Sequence, residues 1–121
     1  MKSILLVEDD PLLIDIYSQK MGKAGFKVES AKSGQEALKF LKDKKPDLLI
    51  LDIVLPEMEG WSILKTVKED PKFQDLKVII LSNLGEREAV EKGLRLGAMK
   101  YLIKAHYTPS EVVDEIKGVL K

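Results

Sequence analysis

The chain has 121 residues, 45% of them hydrophobic, with 20 basic residues against 20 acidic ones and no cysteine. That length and apolar content suit one domain with a filled core; the charge balance removes the global field that would recruit nucleic acid or an anionic membrane; the absent cysteine removes disulfides, thiolate metal sites and thiol nucleophiles. The N-terminal apolar run is too short for a signal peptide and no later stretch approaches the ~20 apolar residues of a membrane span, so a cytoplasmic protein is expected.

Apolar runs alternate with helix-period segments along the chain. Ile4-Leu5-Leu6-Val7 reads as a buried strand and ends in Glu8-Asp9. Asp10 then caps a helix with Pro11 in its first turn and Leu13, Ile16, Tyr17 and Met21 at helical spacing toward Gly25. Phe26 to Ala31 alternates like an edge strand, and Ser33-Gly34-Gln35-Glu36 has the spacing of a capping box that turns Ala37, Leu38 and Leu41 inward. After Pro46, Leu48-Leu49-Ile50-Leu51 forms a strand ending in Asp52. Gly60 to about Glu69 is a helix with Trp61, Leu64 and Val67 on one face, closed by Pro71.

Lys77 to Ser82 is another buried strand. A polar helix from Glu86 to Leu96 follows, with Ala89, Val90 and Leu94 at helical spacing and Gly97 as a left-handed cap. Met99 to Ile103 is the fifth strand and ends in Lys104. Thr108-Pro109-Ser110-Glu111 is a second capping box, opening a helix with Val112, Val113, Ile116, Val119 and Leu120 on one face. Five such βα units predict an α/β fold, a doubly wound five-stranded parallel sheet with helices on both faces and right-handed crossovers. The edge-like second run beside fully apolar first, third and fourth runs favours the flavodoxin-like order 2-1-3-4-5, with a switch point between strands one and three.

Ligands bind such sheets outside the carboxyl ends of the strands. Glu8, Asp9 and Asp52 would meet there, joined by Ser82 and Lys104. Crowded carboxylates repel unless a positive charge sits among them, and an oxygen-only cluster suits a hard cation, Mg²⁺ or alternatively Mn²⁺. Asp52 also fits as a nucleophile toward a phosphoryl donor, with the cation and Lys104 neutralising charge in the transition state. Ser82 could then donate its hydroxyl to a phosphoryl oxygen.

These residues resemble, in order and over the whole chain, the receiver domain of bacterial and archaeal response regulators. The resemblance is carried by Leu5-Leu6-Val7-Glu8-Asp9-Asp10, by the segment from Leu51 to Gly60 (Leu-Asp-Ile-Val-Leu-Pro-Glu-Met-Glu-Gly), by Ile80-Leu81-Ser82 and by Tyr101-Leu102-Ile103-Lys104. It implies that Asp52 accepts a phosphoryl group from a histidine kinase or phosphotransfer protein, and that Asp9, Asp52 and the backbone carbonyl of Val54 bind Mg²⁺. Glu8 matches the acid that acts through a metal-bound water, Ser82 and Lys104 match the groups that contact the phosphoryl group, and Tyr101 matches the aromatic whose rotation reports phosphorylation. Such a domain catalyses only its own phosphorylation and dephosphorylation. Output would pass through the face formed by residues 86–120 to a downstream protein or a dimer formed on phosphorylation. A single receiver domain, 1–121, with no effector domain is expected.

Several positions depart from the family pattern. Ala105 follows Lys104 where the family usually has Pro in a cis peptide. A cis bond without Pro costs ~3 kcal/mol, so either a trans bond or a strained cis one is expected. His106 and Tyr107 replace the usual Phe region, and Glu8 is one methylene longer than the common Asp. Val54 and Leu84 stand at the two positions that tune loss of the phosphoryl group; both are apolar and cannot orient a water, which predicts slow autodephosphorylation.

Other readings of the same residues fit less well. A phosphatase of the haloacid-dehalogenase type would need a second Asp at position 54, and a flavodoxin would need a phosphate loop where Glu8-Asp9-Asp10-Pro11 would repel phosphate. The alternative kept is an atypical receiver acting as an unphosphorylated interaction module, for which Ala105 speaks.

Overall fold

The computed structural model describes residues 1–56 and 58–120; Glu57 of the motif and Lys121 lie outside them. Five parallel strands, β1 (Ser3–Val7), β2 (Lys27–Ala31), β3 (Leu48–Leu51), β4 (Lys77–Ser82) and β5 (Lys100–Ile103), pair in the order β2-β1-β3-β4-β5. Between and after them run α1 (Pro11–Lys23), α2 (Gly34–Asp43), α3 (Gly60–Glu69), α4 (Arg87–Arg95) and α5 (Pro109–Val119). The chain thus has the predicted flavodoxin-like order.

Strand periodicity sorts the core into two layers. Leu5, Val7, Leu49, Leu51, Val78 and Ile80 face one side, where Ala37 and Leu41 of α2 and Ile63, Leu64 and Val67 of α3 cover them. Ile4, Leu6, Leu48, Ile50, Ile79 and Leu81 face the other, covered by Tyr17 and Met21 of α1 and by Val112, Val113, Ile116, Val119 and Leu120 from α5 and its cap. Successive side chains on a strand point to opposite faces, and β1, β3 and β4 are apolar on both because both faces are buried. Only β2, at the edge, exposes Lys27, Glu29 and Ser30.

α1, α2 and α5 start at side-chain caps, whereas α3 and α4 have none. Asp10 accepts the Leu12 N–H at 2.9 Å, and Thr108 and Glu111 make the reciprocal bonds of a capping box at 3.1 and 2.8 Å. At α2 only the forward bond forms, from the Glu36 N–H to Ser33 Oγ at 3.2 Å, so the expected box there is a simple cap. Gly97 has φ +112°, as its role after α4 requires. Beyond Pro71 the chain continues into a one-turn 3₁₀ helix, Pro71–Phe73, that buries Phe73.

The α4 face differs from its expected form. Ala89 is buried, but Leu94 is 46% exposed and Gly93 takes the inward place. A Cβ on Gly93 would lie 2.6 Å from Ile80 Cδ1 and 2.8 Å from Cδ2 of Tyr101. The missing side chain is the space into which the Tyr101 ring packs, so the helical period at Leu94 is overridden by the ring beside it.

Candidate functional site

The switch point between β1 and β3 opens a crevice of about 510 Å³ at the carboxyl ends of the strands. Glu8 and Asp9 follow β1, Asp52 follows β3, Ser82 ends β4 and Lys104 follows β5. Main-chain bonds continue the ladder past the strands: the Glu8 N–H donates to Ala31 at 3.0 Å and the Asp52 N–H to Val7 at 3.1 Å. These bonds hold two acids at the sheet edge, where Glu8 is 2% and Asp52 5% exposed.

Gly60 seals the floor beneath Asp52. Its N–H donates to the Ile53 carbonyl at 2.8 Å, and a Cβ there would lie 2.4 Å from the Asp52 carbonyl oxygen. The β3–α3 loop therefore folds back against its own strand, and the Val54 N–H reaches Asp52 Oδ1 at 3.0 Å.

Buried charge needs a partner, and Lys104 supplies it. Its Nζ donates to Asp52 Oδ2 at 2.6 Å and also to Glu8 Oε1. The second Glu8 oxygen accepts the Asp10 N–H at 3.0 Å. Burial still pushes the Glu8 carboxyl above the usual range, against the pull of the Lys104 ammonium. Burial would lower the Lys104 ammonium, but its hydrogen bonds to Asp52 and Glu8 prevail and carry it above the ordinary lysine value.

One oxygen from each of Glu8, Asp9 and Asp52 lies within 4.8 Å of the others. A set of oxygens without imidazole or thiolate fits a hard divalent cation such as Mg²⁺, with exposed Asp9 on the open side.

Across the crevice, Ser82 is fully buried and its Oγ accepts the Leu84 N–H at 3.2 Å, leaving the hydroxyl proton to donate elsewhere. Tyr101 does not line the crevice. It stands behind the β4–α4 loop and donates its hydroxyl to the Leu84 carbonyl, while burial, with the Asp52 and Glu86 charges, raises its phenol pKa. The Lys104–Ala105 peptide is trans, since no cis bond occurs among the described residues. Lys104–His106 form a 3₁₀ turn that leaves His106 exposed.

Glu8, Asp9, Asp52, Val54, Ser82, Leu84 and Lys104 thus share one crevice, joined by Asp10, Leu13 and Asn83. Val54 is 62% exposed at its rim. Strand period and capping do not point to Asn83 or Gly93. A polar side chain directly after Ser82 and a glycine inside a helix were the available signals.

Fold and crevice together define the receiver class of signalling domains. The response regulator receiver domain family matches residues 4–117, and the chain belongs to that family. It is 32% identical over 120 residues to the phosphate regulon transcriptional regulatory protein PhoB of Pseudomonas aeruginosa, covering 99% of this chain and 52% of that protein. It is 34% identical over 122 residues to the alkaline phosphatase synthesis transcriptional regulatory protein PhoP of Bacillus subtilis, covering 99% and 49%. The chain spans about half the length of these curated relatives. Among solved structures, a CheY-like receiver domain protein from Methanospirillum hungatei superposes with a TM-score of 0.91 at 29% identity, covering 99% of this chain and 94% of that one.

Proposed function

We propose that Asp52 is the phosphoacceptor of this receiver, taking a phosphoryl group from a phosphohistidine on a histidine kinase or phosphotransfer protein. The observation that carries this reading is the Lys104 ammonium, bonded at once to Asp52 and Glu8 beside Asp9. A buried carboxylate repels an approaching phosphoryl group unless its charge is balanced. Mg²⁺ (or Mn²⁺), held by Asp9, Asp52 and the Val54 carbonyl with Glu8 beside them, supplies further charge neutralisation when bound.

An Asp52 carboxylate oxygen attacks phosphorus; the O–P bond forms as the donor's P–N bond breaks, and the imidazole nitrogen keeps the electron pair and takes a proton from solvent. Lys104 then pairs with a phosphoryl oxygen, and Ser82 donates its hydroxyl proton to another. Drawing Ser82 inward pulls on Leu84, which carries both the N–H bonded to Ser82 and the carbonyl bonded to Tyr101. The change would reach the face of residues 86–120 and a downstream protein or a second copy. The relatives named as transcriptional regulators support a regulatory output, and this reading places the domain in the cytoplasm as a phosphoacceptor that catalyses only its own phosphorylation and dephosphorylation.

Incubation with Mg²⁺ and a small acyl phosphate, followed by intact-mass measurement, tests it. One added phosphoryl group is expected, absent in Asp52→Asn; no adduct on the unaltered chain overturns it. One observation favours the second reading, an interaction module that works unphosphorylated. The Tyr101 hydroxyl already bonds the Leu84 carbonyl, so a partner that binds equally well before phosphorylation and to Asp52→Asn would establish that reading.

A further inference from the structure

Lys104 sits just beyond the last rung of the sheet. Register pairs Ser82 with Ile103, and both strands end there. The turn that carries Lys104 opens a 3₁₀ helix whose first N–H groups have no partner within the turn. Within that turn one main-chain bond forms, from the Tyr107 N–H to the Lys104 carbonyl at 3.3 Å. The Ala105 N–H is bonded from outside, donating to Asn83 Oδ1 at 3.2 Å.

That bond spans 22 residues of sequence and joins the residue after Ser82 to the residue after Lys104. Both residues are exposed, and the bond turns the Asn83 amide oxygen toward the Ala105 N–H at the crevice wall.

We propose that Asn83 is a positioning residue for phosphoryl transfer: its side chain latches the Lys104 turn to the β4–α4 loop, extending the β4–β5 ladder by one side-chain bond. The proposal rests on the reading of Asp52 as phosphoacceptor and of Lys104 as its counter-charge. A lysine carries three or more rotatable bonds and spreads over many rotamers unless its main chain is held. Its ammonium reaches two buried carboxylates at once, so a small swing of the turn would cost one of them. The latch removes that swing, and it ties the two loops that flank the phosphoryl position so that they move together.

The test uses the full chain and two independent readouts. Amide hydrogen exchange at Ala105 is expected to speed up about threefold to tenfold in Asn83→Ala, the loss of one modest hydrogen bond. It is expected to stay protected in Asn83→Asp, which keeps an acceptor oxygen in place. Equal exchange in the unaltered chain and Asn83→Ala overturns the latch whatever the chemistry does. The second readout is the rate of Asp52 phosphorylation by an acyl phosphate at saturating Mg²⁺. Asn83→Ala is expected to slow it about threefold to tenfold, and to slow it less than about twofold when Lys104→Ala is already present. Equal slowing in both backgrounds overturns the proposal, because Asn83 would then act independently of Lys104. If the unaltered chain takes no phosphoryl group, the phosphoacceptor reading fails, and exchange at Ala105 still decides the latch.

Discussion

Both edges of the sheet place carboxylates at strand ends, yet the two edges handle them oppositely. At the amino edge, Asp47 precedes β3, is exposed, and accepts the Ser3 N–H at 2.8 Å and the Ser3 hydroxyl at 3.2 Å. Those bonds hold its pKa below the usual range. At the carboxyl edge, Glu8 is buried and pushed upward. The same chemical group is a settled clasp between β1 and β3 at one end and a buried, lysine-dependent charge at the other. The difference is burial: water screens Asp47, whereas Glu8 and Asp52 depend on Lys104 and on whatever cation enters beside Asp9.

Removing the lysine should break this contrast most sharply. Lys104→Ala leaves two buried carboxylates facing each other and is expected to destabilise the metal-free protein by about 3–5 kcal/mol. Added Mg²⁺ should recover more stability in this variant than in the unaltered chain. Urea unfolding with and without Mg²⁺ measures both; an equal Mg²⁺ gain in the two proteins would mean that Lys104 and the cation do not balance the same charges.

Next in size is Gly60→Ala. Its Cβ meets main-chain atoms that cannot yield, so a loss of about 2–3 kcal/mol is expected. Gly22→Ala and Gly118→Ala, where nothing lies within 4 Å of the new Cβ, should be neutral or slightly stabilising in the same unfolding assay.

Val54→Asn and Leu84→Glu test the rim of the crevice. Supplying a polar group that can orient water is expected to shorten the phosphoryl lifetime about tenfold, roughly 1.4 kcal/mol of barrier. An unchanged half-life, followed by intact mass, would show that the apolar rim does not set the phosphoryl lifetime.

The smallest effect lies at the amino edge. Because the Asp47 pKa is lowered on folding, its contribution is present above the unfolded value of ~3.9 and is lost as pH falls through the folded value. Asp47→Asn should cost about 0.5 kcal/mol at pH 7 and flatten that part of the acid-side decline in stability. An unchanged acid slope would show that the Ser3 clasp carries no linkage.

Much of this was legible in the residues. Apolar runs that end in Glu8-Asp9, Asp52, Ser82 and Lys104 announce both a parallel sheet and the edge where its chemistry gathers, because strand period and burial are local properties. The cap at Thr108 with Glu111 was equally readable. What misled was also local: the spacing of Leu94 fits an inward face, but the Tyr101 ring fills the space over Ile80 and turns Gly93 inward instead. The Ser33 box formed one of its two bonds.

By itself the sequence determined the five βα units, the strand order suggested by one edge-like run, and the residue types at the crevice. The three-dimensional fold alone decided that Lys104 reaches Glu8 as well as Asp52, that the Lys104–Ala105 peptide is trans, that Tyr101 bonds the Leu84 carbonyl, and that Asn83 holds the Ala105 N–H. The division has one physical reason. Periodicity and capping are written within a few residues, whereas these hydrogen bonds join groups from 17 to 96 residues apart, whose meeting depends on how the whole sheet is wound, and the trans peptide is set by the turn those bonds hold.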